Sequence, residues 1–151
     1  MKASSKHPAI DVNKLYGDLP LVECYPGQLN QVFMNLLANA LDALVNRCAQ
    51  ADLTSTESET FQPQLTIETL MVDNQFVRVK ITDNGMGMSP DIQAKIFNPF
   101  FTTKPIGQGT GLGLSISYKI VVDKHKGSIW CESEPGEGTS FYIQIPVQQV
   151  S

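Results

Sequence analysis

The sequence has no long apolar run, no group of neighbouring cysteines and no long run of charges of one sign. No stretch approaches the roughly 18 apolar residues that suggest a membrane span. Residues 1–8 are polar and lack the apolar segment of a signal peptide. The net charge of −4, without a basic cluster, argues against a sequence-independent nucleic-acid interface. An anionic small ligand remains compatible with this composition, because backbone amides can hold a phosphate.

The three cysteines, Cys24, Cys48 and Cys131, are odd in number, far apart in the chain and without a CxxC pair. A structural zinc site needs four ligands and closely spaced pairs. We therefore expect reduced cysteines, a cytoplasmic protein and no structural metal. The length of 151 residues suits a single domain over 1–151, with a core of about 10–146.

Hydrophobic periodicity divides the chain into strands and helices. We expect strands over 9–16 (at a sheet edge), 21–24, 64–72, 75–82, 127–133 and 139–147, and helices over 26–51, 89–97 and 111–124. We expect a surface loop over 53–63, a hairpin turn at 73–74 and a mobile lid over 101–110. Neighbouring strand pairs favour antiparallel pairing, and helices must cover one face of the sheet. The predicted class is α+β, a two-layer α/β sandwich whose mixed, mostly antiparallel sheet is covered by about three helices.

The long helix carries two stripes of side chains. The predicted core face consists of Leu29, Phe33, Leu36, Leu37, Ala40, Leu41 and Leu44. Asn35, Asn39, Asp42 and Asn46 fall on the opposite side. A solvated surface is the simplest interpretation of this polar stripe. The alternative is a Mg²⁺ site, because asparagine is a mediocre helix former and its amide oxygen is a hard ligand suited to Mg²⁺.

The segment 83–88 follows a predicted strand and alternates two glycines with two methionines. Asp83, at the strand end, can accept a hydrogen bond from an exocyclic amine such as that of adenine. Gly85 and Gly87 permit a positive φ or the close approach of a ligand to the backbone. Met86 and Met88 can form an apolar wall for a flat ring. The alternative interpretation is a tight turn with an aspartate cap.

A second glycine-rich segment, residues 107–114, leads directly into an apolar helix. Gly109, Gly111 and Gly113 leave unblocked amides at a helix N-terminus, an arrangement that binds anions, although a flexible connector has the same composition. The segment lacks the Gly-Lys-Ser/Thr ending of a P-loop, and no βαβ unit surrounds it. Lys104, in the polar loop before it, is a candidate phosphate contact.

Five motifs in order resemble those of the ATP-binding catalytic domain of sensor histidine kinases. They are the N box Asn35-x-x-x-Asn39-Ala40, the first glycine box Asp83-x-Gly85-x-Gly87, the F box Phe97-x-Pro99-Phe100-Phe101, the second glycine box Gly109-Thr110-Gly111-Leu112-Gly113-Leu114, and Gly136-x-Gly138-Thr139-x-Phe141. The resemblance covers most of the chain. It extends to the Bergerat-fold superfamily, which includes gyrase, heat-shock chaperone and mismatch-repair ATPases.

The resemblance implies particular cofactors, partners and residue roles. ATP and Mg²⁺ are the implied cofactors, with Asp83 on the adenine amino group, Thr139 assisting through water, and Asn39 on Mg²⁺ with Asn35 close by. The implied lid over the phosphates contains Gly109, Thr110, Gly111, Leu112 and Gly113, and Lys104 lies beside it. The implied partners are the dimerisation and histidine-phosphotransfer helices of the same kinase and a response regulator. Neither nucleic acid nor membrane is an expected contact of this fragment.

The chain departs from the family pattern in two respects. Many sensor kinases place lysine at the third position after the N-box asparagine, where this chain has Asp42. Neither histidine has an acidic neighbour on its C-terminal side, because His7 precedes a proline and His125 precedes a lysine. We therefore expect a fragment of a longer kinase whose acceptor histidine lies elsewhere.

Three other functions remain open. An ATP hydrolase of the gyrase, chaperone or mismatch-repair type carries glutamate where this chain has Asn35, whose amide is a poor general base. A serine kinase of the anti-sigma-factor type shares the same boxes. A non-enzymatic nucleotide-sensing module would also keep the ATP-binding motifs.

Overall fold

A computed structural model describes residues 9–54, 61–99, 101 and 113–149. Five strands form one sheet in the order β1-β2-β3-β5-β4: β1 Asp11–Tyr16, β2 Gln64–Val72, β3 Phe76–Asp83, β4 Ser128–Glu134 and β5 Gly138–Pro146. β1 is parallel to β2, and the other neighbouring strands are antiparallel. The helices are α1 Pro26–Thr54, α2 Pro90–Gln93 and α3 Gly113–Tyr118, and α3 continues as a π-helical segment over Lys119–Lys124. The predicted two-layer α+β sandwich is confirmed.

Strand β5 illustrates why the sheet has one helical face. Phe141, Ile143 and Ile145 are buried, whereas Tyr142 and Gln144 between them are only half-buried. Successive side chains of a strand point to opposite faces, so the three apolar residues share the face that the helices cover. Removing most of such a fully buried aliphatic side chain costs about 2–5 kcal/mol in other proteins.

The core face of α1 differs from the predicted one at Leu41. Leu41 is 40% exposed, whereas Val32, which the prediction omitted, is fully buried. Buried residues at positions 32, 36, 40, 44 and 48 repeat at steps of four. These residues form the stripe of α1 that faces the sheet. Leu41 follows Ala40 of that stripe and is rotated from it by about 100° around the helix axis. Leu29, Leu36, Ala40 and Leu44 are buried as predicted, and Phe33 and Leu37 are partly buried.

Three other boundaries differ from the predictions. Residues 21–24 are not a strand, since one backbone bond, from Glu23 N–H to the Val147 carbonyl (2.8 Å), links them to the sheet end and Leu21 is 99% exposed. Helix α1 extends to Thr54, into the expected loop. Helix α2 begins as predicted, with the Ser89 hydroxyl accepting from Ile92 N–H, but it ends at Gln93. The rest of the expected loop, over 55–60, and the expected lid, apart from Phe101, lie outside the described residues.

The turn between β2 and β3 forms where the sequence predicts it. Asp73 and Asn74 have φ angles of 54° and 56°, and Gln75 N–H donates a hydrogen bond to the Val72 carbonyl at 3.1 Å. Val72 pairs with Phe76, so three residues, 73–75, connect the two strands. Asparagine and aspartate tolerate this conformation better than other non-glycine residues. The left-handed residues thus lie in the turn of the antiparallel pair whose other end is Leu65 and Asp83.

His125, a fully buried residue, directly follows the π-helical segment. The Nε2 atom of its ring accepts a hydrogen bond from Tyr25 N–H at 3.0 Å, so the ring proton lies on Nδ1, which donates to the Ile120 carbonyl at 2.9 Å. The histidine thus joins the start of α1 to the end of the π-helical segment. None of the helices in the described part of the chain is both long and apolar enough to span a membrane.

Candidate functional site

Asp83 is the last residue of β3, and its carboxyl group is almost wholly buried, with 3% of the residue exposed. One carboxylate oxygen accepts a hydrogen bond from Gly85 N–H at 2.8 Å. Burial raises the pKa of Asp83 to about 6, and hydrogen bonds from the backbone of Gly85 and Thr139 partly oppose that rise. The bond from Gly85 N–H is that of the aspartate-capped turn, the alternative interpretation of this residue, and the role of Asp83 as acceptor for an adenine amine stays a prediction.

Thr139 of β5 pairs with Asp83 on the neighbouring strand β3 and is also buried. Its hydroxyl is 2.8 Å from the Ser133 hydroxyl, which donates to the Gly138 carbonyl at 2.8 Å. Because Ser133 has one hydroxyl proton, the Thr139 hydroxyl must donate to Ser133. The Thr139 oxygen therefore keeps lone pairs for a water molecule or an amine beside Asp83.

Gly138 makes the close pairing of Asp83 and Thr139 possible. Its φ is +131°, and a Cβ at this position would overlap the carbonyl oxygen of Asp83. Only glycine meets both conditions without strain. The glycine of the last motif thus has a packing role between the two strand ends.

Asp83 and Thr139 line an open pocket of about 480 Å³. Its other lining residues are Thr82, Gln93, Cys131, Glu132, Ser133, Glu134, Glu137, Gly138 and Ser140. Glu134 and Glu137, at the end of β4 and in the turn after it, disfavour phosphates here, whereas the Glu132 carboxylate accepts from the Tyr142 hydroxyl on the opposite face of the sheet. The pocket therefore suits the uncharged, amine-bearing end of a ligand.

The glycines of the segment after β3 pack against protein. A Cβ at Gly85 would lie within 2.9 Å of the Ala43 backbone, and a Cβ at Gly87, whose φ is +76°, would overlap the Glu134 carbonyl oxygen. The positive φ predicted for this turn is found at Gly87. The close approach that these glycines allow is made by Ala43 and Glu134, and contact of Gly85 and Gly87 with a nucleotide stays a prediction. Met88 packs against the core rather than standing alone as a wall.

Helix α1 places the two N-box asparagines between the glycine segments. The Asn35 side chain donates to the Gly113 carbonyl and the Ser117 hydroxyl, both at 3.2 Å. Ala43, two turns further along the same side, contacts Gly85. Asn39, half-buried, therefore lies one turn from each contact. Asn35 is not part of a solvated stripe.

The two further residues of the polar stripe, Asp42 and Asn46, are exposed, as the simple solvated interpretation predicts. The remaining candidate residues lie outside the described part of the chain: Lys104, Gly109, Thr110, Gly111 and Leu112. Phe100 of the F box is also outside it. Phe97 and Phe101 pack against the core, and the Phe97 ring lies 5.9 Å from that of Tyr118 at the end of α3.

Two residues that the sequence did not single out shape the pocket. The Ser133 hydroxyl accepts from Met88 N–H at 2.8 Å, in addition to its bonds with Gly138 and Thr139. The Gln93 side chain donates to the carbonyls of Met88 (3.1 Å) and Ser133 (3.0 Å). Both residues tie the turn after β3 to the end of β4. No periodicity or motif marks them, because the bonds that join the two segments, from Met88 N–H to Ser133 and from Gln93 to the Ser133 carbonyl, link residues distant in sequence.

Comparison with known proteins agrees with this geometry. Residues 24–149 match the family model described as "Histidine kinase-, DNA gyrase B-, and HSP90-like ATPase". The chain belongs to this ATPase family. Members of this family use nucleotides, and the five boxes of the sequence all lie within the matched range.

Curated relatives of this ATPase domain are sensor kinases. The chain is 40% identical to sporulation kinase E of Bacillus subtilis over 89% of its own length and 16% of that protein. It is 39% identical to the sensor kinase CckA of Brucella abortus, over 85% of the chain and 13% of the relative. It is 34% identical to the sensor histidine kinase ZraS of Escherichia coli K12, over 85% and 24% respectively. The chain thus spans less than a quarter of each of these relatives.

Solved structures show the same fold. The catalytic domain of the histidine kinase ThkA superposes with a TM-score of 0.72 at 32% identity, covering 92% of this chain and 81% of that one. Full-length ShkA, solved in complex with AMPPNP, superposes with a TM-score of 0.73 at 24% identity, covering 94% of this chain and 26% of that one. The five-stranded sheet and its helices are therefore those of a histidine kinase catalytic domain.

Proposed function

We propose that this domain binds Mg-ATP and donates the γ-phosphoryl group to a histidine on the dimerisation helices of the same kinase, in two-component signal transduction. The observation that carries the proposal is the buried Asp83 carboxyl group, paired with Thr139 at a strand end beside an open pocket. The sensor kinases among the relatives support the reaction class.

Adenine suits the Asp83 end of the site. Its exocyclic amine donates two hydrogen bonds, and Asp83 and Thr139 offer acceptors side by side. Glu134 and Glu137 beside the pocket disfavour phosphates there. The triphosphate would then extend toward Asn39 and the start of α3, away from these carboxylates.

Asn39 is the proposed Mg²⁺ ligand. Within the described residues no hydrogen bond engages its amide, whereas the Asn35 amide nitrogen has two acceptors. A neutral amide oxygen suits Mg²⁺, which takes most of its remaining ligands from water and phosphates. When bound, the ion would neutralise charge on the phosphates, the main requirement of phosphoryl transfer. Asn35 has a different proposed role, which is to hold α3 against α1.

The geometry of Asn35 counts against the hydrolase alternative. A hydrolase of this family needs a base that positions and deprotonates water, and an amide does not take a proton near neutral pH. The Asn35 amide nitrogen also donates hydrogen bonds to the Gly113 carbonyl and the Ser117 hydroxyl on α3. We therefore expect slow ATP turnover by the chain alone.

The acceptor histidine is proposed to lie outside this chain. His125 is fully buried, and both nitrogens of its ring have backbone partners, so it cannot meet a γ-phosphate without local unfolding. The proposed partners are the phosphoacceptor helices of the parent kinase and, downstream, a response regulator. A cytoplasmic location is proposed with them, and the odd number of cysteines without a CxxC pair supports it.

Incubation with γ-labelled ATP tests the proposal. The chain alone should bind ATP without acquiring label, and the phosphoacceptor helices of its parent, supplied in trans, should acquire acid-labile, alkali-stable label. A chain with Asp83→Asn should not label them. Rapid release of phosphate by the chain alone would favour the hydrolase, and acid-stable label on an added protein's serine would favour the serine kinase.

A further inference from the structure

Arg47 lies on α1 beside the two turns that follow β3 and precede β5. Its Nη1 group donates to the carbonyls of Asn84 (3.1 Å), Gly85 (2.8 Å) and Gly136 (2.7 Å). Its guanidinium also packs over the Phe61 ring, 4.7 Å from the centroid. One cationic nitrogen is thus shared by three backbone carbonyls from two turns. Hydrogen bonds from a charged donor are about twice as strong as those between neutral groups.

The two turns need such a donor because their carbonyl dipoles converge. Gly136 N–H donates to the Met86 carbonyl at 2.6 Å, which brings the turns into direct contact. In that arrangement the oxygens of Asn84, Gly85 and Gly136 point at a single position. Three converging carbonyl oxygens repel one another unless a donor lies between them, and a cation there is favoured most.

The contacts of Arg47 begin where the sheet ends. The ladder between β3 and β5 has Asp83 and Thr139 as its last pair. Asn84 and Gly85 follow directly after Asp83, and Gly136 lies just before β5. Arg47 donates to carbonyls beyond this last pair, so its bonds act on the path of the chain after the strands rather than on the ladder. That path sets the direction of the Asp83 carboxyl group, since the Gly85 N–H that Asp83 accepts from belongs to the same turn.

We propose that Arg47 is a positioning residue for the nucleotide base. It holds the turn after Asp83 against the turn before Thr139, and so keeps the acceptors of these two residues at a fixed separation. The inference rests on the proposed nucleotide site and adds a residue that acts through the two turns rather than on the ligand. Nothing in the five motifs includes Arg47.

A double-mutant cycle with Asp83→Asn tests the role, with ATP affinity measured by calorimetry. Arg47→Met should weaken ATP binding about 10-fold in the wild-type background, in the range found when outer-shell partners are removed. In the Asp83→Asn background the same change should weaken binding less than about 2-fold, because the group that Arg47 positions is already lost. Arg47→Lys should recover part of the affinity, since an ammonium group can donate to the same carbonyls.

Arg78→Met is the matched control. Arg78 is also half-buried, hydrogen-bonds to Gln144 and packs over Trp130, but it lies on the opposite face of the sheet and contacts neither turn. The Arg78→Met variant should bind ATP with the same affinity as the unchanged protein. If Arg47→Met does not fold, Arg47→Gln, which keeps a neutral donor, carries the same cycle.

The outcomes separate the inference from the proposed function. An equal loss from Arg47→Met in both backgrounds would mean a general structural role and would overturn the inference. Unchanged affinity in Arg47→Met together with a large loss in Asp83→Asn would also overturn it, while leaving the nucleotide site intact. Unchanged affinity in Asp83→Asn would overturn the proposed site itself.

Discussion

Replacing Asp83 by asparagine should separate the stability of this domain from its affinity for nucleotide. The folded protein buries the carboxyl group, and burial raises its pKa from 3.8 to about 6. A group whose pKa is higher in the folded state stabilises that state below its unfolded pKa. That contribution is lost as the pH rises through the folded pKa. At neutral pH the domain therefore carries the cost of a buried charge.

The size of this cost follows from the pKa shift. One pKa unit corresponds to about 1.4 kcal/mol, so the rise at Asp83 costs about 3 kcal/mol of stability well above pH 6. Between about pH 4.5 and about pH 8 the cost grows by about 2 kcal/mol. Asparagine has no such titration. The stability of the mutant relative to the unchanged protein should therefore rise by about 2 kcal/mol over this interval.

Whereas Asp83→Asn should gain stability at neutral pH, its affinity for ATP should fall. An amide nitrogen facing the exocyclic amine of adenine leaves a buried donor without an acceptor, which costs about 1–3 kcal/mol. We therefore expect ATP to bind roughly 5- to 150-fold more weakly at neutral pH. In the unchanged protein, affinity relative to the mutant should also fall as the pH drops below about 6, because a protonated carboxyl group offers one acceptor fewer.

Urea unfolding followed by the fluorescence of the single tryptophan, Trp130, measures stability at each pH, and calorimetry measures ATP binding. Asp73→Asn is the matched control, since Asp73 is exposed in the β2–β3 turn and asparagine tolerates its φ of 54°. The control should change neither quantity. A stability difference between Asp83→Asn and the unchanged protein that stays constant with pH would refute the electrostatic reasoning. Undiminished ATP affinity would refute the assignment of the base site.

Three further predictions concern single side chains. Asn39→Ala should weaken ATP binding about 10-fold or more with Mg²⁺ present and hardly at all with a chelator; equal losses would make Asn39 structural. Gly138→Ala should lower the free energy of unfolding by more than 2 kcal/mol and weaken ATP binding, because its Cβ overlaps the Asp83 carbonyl. Gly27→Ala, where a Cβ meets no atom within 4 Å, should be neutral or slightly stabilising. His125→Ala should cost about 3 kcal/mol or more by urea unfolding, since it leaves Tyr25 N–H unsatisfied and opens a cavity, and a loss under 1 kcal/mol would contradict that account.

Much of the architecture could be predicted from local patterns. The clustering of apolar side chains on one side predicted α1, and hydrophobic periodicity predicted a strand over 139–147, which is β5. Asp73 and Asn74 predicted the turn because few other residues adopt a positive φ. Asp83 could be identified as a candidate before any contact was known, because it is a carboxylate at a strand end directly before a turn with two glycines.

Other features could not be predicted because they depend on partners far away in sequence. The apolar stripe of α1 is wide enough to include Leu41, and only the position of the sheet left this residue exposed. Residues 21–24 have the composition of a strand, but a single backbone bond to Val147 does not make one. The sequence also offered two interpretations of Asn35, and the contacts with Gly113 and Ser117 excluded the solvated one.

The sequence by itself determined the periodicities, the turn chemistry and the order of the five motifs, because each depends on residues within a few positions of one another. The tertiary structure alone decided that β5 lies between β3 and β4, which brings Thr139 beside Asp83 and the turn at Gly136 onto that at Gly85. Arg47 illustrates the difference. Its three acceptors belong to two turns distant in sequence from it and from each other, and their convergence exists only after the strands have paired, since burial of apolar surface over the whole domain selects that pairing.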